Sequence, residues 1–450
     1  MVGVGHSAKN TDRKGTAVSK TVSKLCLVER DEAPELPEFS AELRLQLAEV
    51  AGAAREGLLA MSVAVGLRVM AEMMEEELTV KVGPKHAKIA DRTARRHASA
   101  PGAVVLGGRR VKVDRPRARN LNGTEMHLDS YGAFAADDVL GQVVMERMLA
   151  GLATRRHRSA NEPVGQAVEA EASSTSRSSV SRRFVAGTAK ALEDLMARDL
   201  SELAVAALMV DGVHFAEHCC VVALAICADG TKVPVGLWLG DTENKTIVTQ
   251  LLADLVDRGL SAEAGLLVVI DGAKALAAGV RKVFGDQVLV QRCVLHKRRN
   301  LADHLPAEAA GWVDTKLARA FNNSDPGAGL RAAKDLARTL EDRWPDAAAS
   351  LREGLEEMFT VRRLGVSERL ARTLTSTNPV ESMISIGRST SRNVKRWRDG
   401  KMVKRWAAAG MLNAERSFRR VKGCKDMPTL VTALARHVDV TPSCENEEVA

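Results

Sequence analysis

The central part of the chain alternates between two hydrophobic patterns. Short apolar runs bounded by Gly, Asp or Asn predict β-strands, and stretches with apolar residues at every third or fourth position predict amphipathic helices. In chain order the patterns predict three strands, a helix, a strand, a helix and a last strand. The predicted strands are Ala206–Phe215, Cys219–Cys227, Val233–Leu239, Leu266–Ile270 and Gln287–Arg292, and the predicted helices are Lys245–Arg258 and Ala273–Phe284. Asp229-Gly230 predicts a tight turn between the second and third strands.

This order predicts an α/β fold of the ribonuclease-H-like type, a mixed sheet with helices on its faces in the order β-β-β-α-β-α-β-α. An Ala-, Arg- and Glu-rich stretch at 300–374 interrupts the pattern and predicts an all-helical insertion. The pattern resumes at Thr375, and a long basic helix is expected to run on to about Arg420. We therefore expect the catalytic domain at 201–299 and 375–425, followed by a C-terminal tail at 426–450.

The first 200 residues predict a mainly helical region that contains a β-hairpin. Residues 1–35 are polar and rich in Lys, Ser and Thr, which predicts a disordered tail. Residues 36–130 predict N-terminal helices and a basic hairpin, whose two short apolar runs flank Gly107-Gly108. Residues 131–200 predict a helical DNA-binding region, in which Arg182–Leu192 resembles the turn and second helix of a helix-turn-helix. Arg182 and Arg183 would then contact DNA, although so short a motif is weak evidence alone.

Charge favours a polyanionic partner. The 65 Lys and Arg residues exceed the 57 Asp and Glu residues, which gives a net charge of +8. Clustering of the basic residues argues for nucleic acid more strongly than the net charge does. The seven cysteines are odd in number and scattered, no apolar run reaches membrane length, and the N-terminus has no signal-peptide core. We therefore expect a reduced, cytoplasmic protein with no membrane association.

Two acidic residues occupy unusual positions in the predicted sheet. Asp211 lies inside the first strand, and Asp271 directly follows the fourth. The first and fourth strands of a ribonuclease-H-like sheet are neighbours, so the two carboxylates would lie side by side. Ionised carboxylates that close repel each other, and a pair of divalent cations would remove the repulsion. Oxygen ligands of this kind suit Mg²⁺ or Mn²⁺, and two such cations catalyse phosphoryl transfer.

A structural explanation competes with this one, because both acids precede a glycine. Asp-Gly pairs commonly start turns, as expected at Asp229-Gly230. The turn explanation suits Asp211 poorly, since apolar residues continue on both sides of it. Spacing alone leaves both explanations open.

Glu381 is the third candidate acid and lies near a predicted helix start. Asn378-Pro379-Val380-Glu381 has an N-cap residue, a proline at the first helical position and Glu three residues after the cap. That is a capping-box arrangement, which would give the carboxylate a structural role. A continuing helix would instead place the acid at the head of a row of cations that could contact phosphates, with a solvated basic face as the alternative. The cations of this predicted DNA-binding row are Arg388, Arg392 and Lys395, followed by Arg396.

Cys293-Val-Leu-His296 has the C-x-x-H spacing of half a zinc site. The sequence has no second pair close by, and His214, His218, Cys219 and Cys220 would qualify only if the fold brought them near. Zinc is therefore disfavoured as the explanation of this motif.

Taken together, these motifs resemble the Mutator-type transposases of bacterial insertion sequences. The resemblance spans roughly residues 90 to 423 and includes the hairpin Val105–Val111 and the closing segment Trp397–Trp406. Four motifs in order carry it: Leu208-Met-Val-Asp211-Gly-Val-His-Phe, Val269-Ile-Asp271-Gly-Ala-Lys-Ala, Gln291-Arg-Cys293-Val-Leu-His296-Lys and Thr377-Asn-Pro-Val-Glu381-Ser.

The resemblance implies a ribonuclease-H-like DDE transposase with a helical insertion before the last acid. Asp211, Asp271 and Glu381 match the family's catalytic, metal-binding acids, with two divalent cations, Mg²⁺ or Mn²⁺, as cofactors. Cys293 and His296 match its supporting C-x-x-H motif. Such a protein would bind double-stranded DNA, both the terminal inverted repeats of its element and a target, then cleave and transfer strands. Pairing two DNA ends would require a homodimer or a higher oligomer.

Two alternatives keep the fold but change the function. One is a ribonuclease-H-like nuclease that cuts without joining, which the N-terminal DNA-binding region disfavours. The other is a catalytically idle DNA-binding derivative of a transposase, which the three intact acids disfavour. A tyrosine recombinase is excluded, because the single tyrosine, Tyr131, lies outside the predicted catalytic domain.

Overall fold

The computed structural model describes residues 57–136, 138–162, 164–240 and 244–440, together with Gln46 and Val50. The chain divides into two compact units, Met1–Gly52 and Ala53–Ala450, and every element named below belongs to the second. The tail predicted at 1–35 lies outside the described residues. No helix within these ranges is long and apolar enough to cross a lipid bilayer.

The described N-terminal region is a long β-hairpin flanked by helices. Gly107 and Gly108 form its two-residue turn with φ values of 55° and 78°, a left-handed conformation that glycine adopts without steric cost. This confirms the predicted hairpin, although its strands extend further than the apolar runs suggested. The elements in chain order are α1 (Leu58–Val82), β1 (Ala94–Leu106), β2 (Arg109–Asn120), α2 (Asp129–Ala135), α3 (Asp138–Leu149), α4 (Gln166–Glu171) and α5 (Arg177–Met196).

The turn predicted within Arg182–Leu192 is wrong. Helix α5 is continuous over 20 residues, and Ser176 caps its start by accepting a hydrogen bond from the Ser179 amide. Gly187 lies inside this helix. A Cβ atom there would lie 2.7 Å from the sulfur of Met145 in α3, so Gly187 allows two helices to approach closely. Gly187 therefore allows close packing of α5 against α3. The sequence pattern alone does not distinguish a glycine with this role from a glycine in a turn.

A mixed five-stranded sheet forms the centre of the molecule. Its order is β5-β4-β3-β6-β7, with β3, β4 and β5 antiparallel and both β3–β6 and β6–β7 parallel. Every strand lies within one residue of its predicted bounds at each end, and the order is compatible with a ribonuclease-H-like arrangement. The elements are β3 (Val205–Phe215), β4 (His218–Cys227), β5 (Lys232–Gly240), α6 (Lys245–Asp257), β6 (Leu266–Ile270), α7 (Lys274–Phe284) and β7 (Val288–Arg292).

The helical insertion follows β7 and builds a core of its own. Leu317, Leu336 and Leu351 lie fully or almost fully buried in it. Its helices are α8 (Val294–Asp303), α9 (Ala307–Phe321), α10 (Pro326–Glu341), α11 (Pro345–Arg352), a 3-10 turn (Glu356–Phe359), α12 (Thr360–Arg363) and α13 (Glu368–Leu374).

Gln291 joins the end of this insertion to the sheet. Its fully buried amide nitrogen donates to the carbonyl of Met358 at 3.0 Å, and its amide oxygen accepts from the Val361 amide at 2.9 Å. Cys293 and Val294 extend the connection, because Val294 N donates to the Thr375 carbonyl at 3.0 Å. The chain therefore leaves β7, builds the insertion and returns to the same sheet edge.

Three further helices complete the described chain: α14 (Asn378–Thr390), α15 (Gly400–Glu415) and α16 (Met427–Val440). Two predictions were wrong here. The long basic helix is interrupted, because α14 ends at Thr390 and the segment 391–399 is not helical. The predicted tail at 426–450 contains α16, whose Met427, Leu430 and Leu434 are buried in the core. Apolar residues at helical spacing specified that helix.

Alternation along the strands divides the core between the two faces of the sheet. In β3, Leu208 and Val210 face a cluster with α6 and α7, whereas Ala207 and Met209 face α14, α15 and α16. All five residues of β6 are buried, because helices cover both of its faces. This arrangement places Asp211, inside β3, and Asp271, directly after β6, near the start of α14.

Candidate active site

Asp211 and Asp271 lie at equivalent positions of two adjacent parallel strands. Val210 in β3 pairs with Ile270 in β6, and each acid is the next residue of its chain. The predicted side-by-side placement is thus confirmed. Asp211 is only 6% exposed and accepts a hydrogen bond from the Gly212 amide at 2.9 Å. Asp271 accepts from the Ala273 amide at 2.7 Å and so also shapes the turn into α7.

The pKa of Asp211 reports the electrostatic environment of this pair. Burial, the largest cause, and the negative charge of Asp271 together raise the pKa of Asp211 to about 7. His296 and the Gly212 amide partly oppose the shift, and Glu381 reinforces it. A buried carboxylate with this pKa lacks enough positive charge around it. The three predicted acids and His296 therefore lie within one electrostatic neighbourhood.

Glu381 reaches this neighbourhood from the first turn of α14. Its Oε1 accepts from the Thr377 hydroxyl at 3.2 Å and lies 3.4 Å from His296 Nε2 and 4.0 Å from Arg299 Nη1. The capping-box explanation was wrong: the N-cap residue is Thr377, and Asn378 is already helical. The Glu381 side chain is therefore held by the N-cap residue of its own helix and by His296 and Arg299 of α8.

A divalent cation suits these acids in donor type and charge. Carboxylate oxygens are the donors that Mg²⁺ and Mn²⁺ prefer, and the Asp211–Asp271 pair concentrates negative charge that the raised pKa of Asp211 shows to be uncompensated. Within the described ranges, no three His, Cys, Asp or Glu side chains converge as a metal-binding group. Glu381 is engaged instead by His296 and Arg299.

Cys293 and His296 form a hydrogen-bonded pair at the start of α8. Burial would raise the pKa of the Cys293 thiol, but hydrogen bonds from His296 and Thr377 outweigh it and lower that pKa. The same contact with Cys293 raises the pKa of His296 to about 9, against the effect of desolvation and helped by the charges of Asp211 and Glu381. An imidazolium next to Glu381 can donate from both ring nitrogens.

Sequence reasoning did not single out Thr377 or Arg299. Thr377 lies four residues before Glu381, so one helical turn brings the two side chains together. Arg299 lies three residues after His296, on the same side of α8, and reaches the same carboxylate. Helical spacing was the available signal for both residues. Thr377 lies four residues before Glu381, and Arg299 lies three residues after His296.

The predicted DNA-binding cations are exposed, but they do not share one helical face. Arg388 is in the last turn of α14, whereas Arg392, Lys395 and Arg396 lie in the non-helical segment 391–399. None of the four takes part in an ion pair among the described residues, so their charges are not neutralised internally. Arg182 on α5 is also exposed, while Arg183 is half-buried and donates to Ser179.

Aromatic contacts fix this basic segment relative to the catalytic sheet. The ring of Trp397 packs edge-on against Phe215 at the end of β3, with 5.2 Å between centroids. It also meets Trp406 of α15 at 6.5 Å. Asn393 Nδ2 donates to the carbonyl of Gly151, just beyond α3. The segment therefore touches the strand that carries Asp211 as well as the N-terminal helices.

Fold and site together define a mixed α/β protein that combines two acids on adjacent strands of the sheet with an exposed basic segment. A family model described as "Transposase, Mutator family" matches residues 37–420. The chain belongs to the Mutator family of transposases.

Several curated proteins are similar to this chain. The transposase for insertion sequence element ISRM3 of Rhizobium meliloti (strain 1021) is 29% identical over 165 residues, which cover 36% of this chain and 40% of that protein. A probable transposase for an insertion sequence element of Corynebacterium diphtheriae is 26% identical over 185 residues, 41% of this chain and 52% of that protein. The transposase for ISRM5 of Rhizobium meliloti is 24% identical over 321 residues, 70% of this chain and 78% of that protein. The match to the ISRM3 protein thus spans less than half of its length.

Proposed function

We propose that this chain is a DDE transposase with a ribonuclease-H-like catalytic domain. It would bind the terminal inverted repeats of an insertion sequence, cleave the DNA there and transfer the freed strand to a target. The observation that carries the proposal is the in-register pairing that sets the buried Asp211 beside Asp271, with the pKa of Asp211 raised by both burial and that neighbour. Family membership and the insertion-sequence relatives support the same conclusion.

Asp211, Asp271 and Glu381 are the residues that would hold two divalent cations, Mg²⁺ or Mn²⁺. When bound, such cations activate an attacking oxygen and stabilise a leaving oxygen in phosphoryl transfer. The acids supply hard oxygen donors. The repulsion between the two carboxylates favours the binding of cations between them. His296 and Arg299 hold Glu381 from the side of α8.

Both chemical steps are in-line attacks on a phosphodiester. In the first, a water oxygen bonds to phosphorus at the element end, its proton passes to solvent, and a 3′-hydroxyl leaves. In the second, that 3′-hydroxyl bonds to a target phosphorus and displaces another 3′-oxygen, so the number of phosphodiester bonds is conserved. The role of the protein is to align these groups, because alignment and charge stabilisation supply most of the catalysis of phosphoryl transfer.

Double-stranded DNA is the proposed partner, bound through phosphates by the exposed cations Arg388, Arg392, Lys395 and Arg396. Arg182 and Arg183 of α5 extend this assignment towards the N-terminal region. The basic segment 391–399 packs on β3 through Trp397, so DNA that it binds would pass close to Asp211. Joining two element ends to one target requires two active sites, and we assign the active complex as a homodimer or a higher oligomer.

Asp271→Asn tests the proposal with a labelled element end and Mg²⁺. We expect nicking and joining to fall by at least about a thousandfold, the effect of removing some 4 kcal/mol of transition-state stabilisation, while DNA binding persists. Asp229→Asn is the matched control, because Asp229 also precedes a glycine but belongs to the β4–β5 turn. Nicking and joining by Asp271→Asn at the wild-type rate would falsify the metal-site assignment. Nicking without joining by the wild type would favour the nuclease alternative.

A further inference from the structure

We propose that Thr377 is a positioning residue that orients the Glu381 carboxylate through its side-chain hydroxyl and is itself anchored on the Cys293 thiol. The inference rests on the proposed function, because orientation of Glu381 matters only if Glu381 is part of the active site. Thr377 is completely buried at the junction between the end of the insertion and α14.

The contacts of Thr377 converge on one point. Its amide and its hydroxyl lie 3.4 Å and 3.5 Å from the Cys293 sulfur. The hydroxyl oxygen lies 3.3 Å from His296 Nδ1 and 3.2 Å from Glu381 Oε1. The Thr377 carbonyl accepts from the Glu381 amide at 2.9 Å. One residue therefore touches both members of the C-x-x-H motif and the third acid.

This hydroxyl is not used to cap the helix. Thr at an N-cap position normally accepts a hydrogen bond from a backbone amide of the first helical turn. The Thr377 side chain makes no such capping bond to α14. Its hydroxyl is directed to Cys293, His296 and Glu381 instead, which a purely helix-starting role does not explain.

Hydrogen-bond capacity explains the arrangement. A hydroxyl has one proton and two acceptor lone pairs. If the proton of Thr377 Oγ1 goes to Glu381, a lone pair remains to accept from His296 Nδ1–H. His296 Nε2 then faces the same Glu381 oxygen at 3.4 Å. The Thr377, His296 and Arg299 contacts of Glu381 all involve Oε1, so none of the three uses Oε2.

Thr377 also connects the two halves of the site. Cys293 N donates to the carbonyl of Ile270 at 2.8 Å, and Ile270 directly precedes Asp271. The Cys293 sulfur meets Thr377, and Thr377 meets Glu381 one helical turn later. A shift of Cys293 is thus transmitted to Glu381, which assigns the buried cysteine a positioning effect through Thr377.

The test compares Thr377→Val, which removes the hydroxyl and keeps the shape, with Thr377→Ser, which restores it. Thr373→Val is the matched control, because Thr373 is half-buried and its hydroxyl meets only backbone carbonyls. We expect Thr377→Val to lower the cleavage rate at saturating DNA by about 10–100-fold and to raise the Mg²⁺ concentration needed for half-maximal rate. DNA affinity should stay unchanged, Thr377→Ser should recover to within about threefold of the wild type, and Thr373→Val should match the wild type.

Two measurements on metal-free protein separate this inference from the proposed function. In the wild type and in Cys293→Ala, which removes the thiol as an alternative acceptor, ¹⁵N shifts of the His296 ring should show Nδ1 donating a hydrogen bond, even if Thr377→Val fails to fold. The effects of Thr377→Val and Glu381→Gln on the unfolding midpoint should be non-additive. Equal impairment of the Ser and Val variants, additive effects, or a His296 Nδ1 without a hydrogen bond would each overturn the inference. Absence of wild-type cleavage with these two signatures intact would overturn the proposed function alone.

Discussion

The Asp211 carboxyl lies next to Asp271 because Val210 and Ile270 pair in register in a parallel ladder. The two side chains lie beside each other on interior strands, and burial together with the charge of Asp271 raises the pKa of Asp211, the more buried of the two, to about 7. Ionisation of both acids should therefore destabilise the folded metal-free protein, although the same pair is the centre of its proposed chemistry.

Stability of the metal-free protein should depend on pH through Asp211. Its folded-state pKa of about 7 exceeds the ordinary aspartate pKa of 3.8, so the native state binds the proton more tightly than the unfolded state. The stabilisation is fully present below the unfolded pKa and is lost as pH rises through about 7. Urea unfolding without divalent cations, at several values between pH 5 and about 8, should show the wild type losing stability relative to Asp211→Asn. Parallel pH profiles for the two proteins would contradict the assigned cause.

Magnesium should stabilise the wild type and should fail to stabilise variants of the acidic pair. A ligand that binds only the folded state adds about 2.7 kcal/mol at a hundredfold excess over Kd. Calorimetry with and without Mg²⁺ should show a rise in Tm for the wild type and for Asp229→Asn. Asp211→Asn and Asp271→Asn should show no rise. An equal shift in all four proteins would indicate non-specific ion binding.

The central sheet was predictable because each of its strands carries its own local signal. Short apolar runs predicted β3 to β7, and the order of these strands brought Asp211 and Asp271 together. The errors occur where a residue serves a distant contact. The segment Arg182–Leu192 suggested a turn, but it is helical and its Gly187 accommodates Met145. The row of cations after Glu381 suggested one helix, but the helix ends at Thr390 and Trp397 packs on Phe215. Local periodicity carries no information about such partners.

The α14–α15 crossing predicts opposite effects for two neighbouring glycines. A Cβ atom on Gly410 would lie 2.8 Å from Gly387 Cα, whereas a Cβ atom on Gly387 meets nothing closer than 3.9 Å. Gly410→Ala should therefore lower the free energy of unfolding by about 1–3 kcal/mol, because the backbone must shift. Gly387→Ala should be neutral or stabilising by up to about 1 kcal/mol, through helix propensity. Chemical denaturation of both variants checks the asymmetry, and similar effects would refute the close crossing.

Gln291→Leu should weaken the attachment of the insertion to the sheet. The substitution keeps the volume but leaves the Val361 amide and the Met358 carbonyl without their partner. A buried unsatisfied group costs about 1–3 kcal/mol, so urea unfolding should show a lower free energy of unfolding. Amide hydrogen exchange of residues 356–363 should become faster. The exposed Gln287, at the other end of β7, supplies the control: Gln287→Leu should stay within about 0.5 kcal/mol of the wild type. Unchanged exchange in Gln291→Leu would argue against the connection.

Lys395→Ala and Arg396→Ala should weaken DNA binding in proportion to lost phosphate contacts. Each lost contact reduces the slope of log affinity against log salt by about one unit. Fluorescence anisotropy on an element end at several salt concentrations measures that slope. Arg338→Ala is the comparison, because Arg338 lies on the insertion and is already paired with Asp335. A slope that falls equally for Arg338→Ala would mean that only total charge matters.

The proposed site is built from two separate stretches of the chain. Contacts of Gln291, Cys293 and Thr377 join these stretches, since they connect β7 with the chain beyond the insertion. Asp211 and Asp271 come from one stretch of polypeptide and Glu381 from another, and the two stretches meet through side-chain contacts between residues up to 84 positions apart. A break in the exposed turn after α9 would leave each fragment with its own share of the acids. Complementation between two such fragments would then restore the site, and their association would become a switch for DNA cleavage.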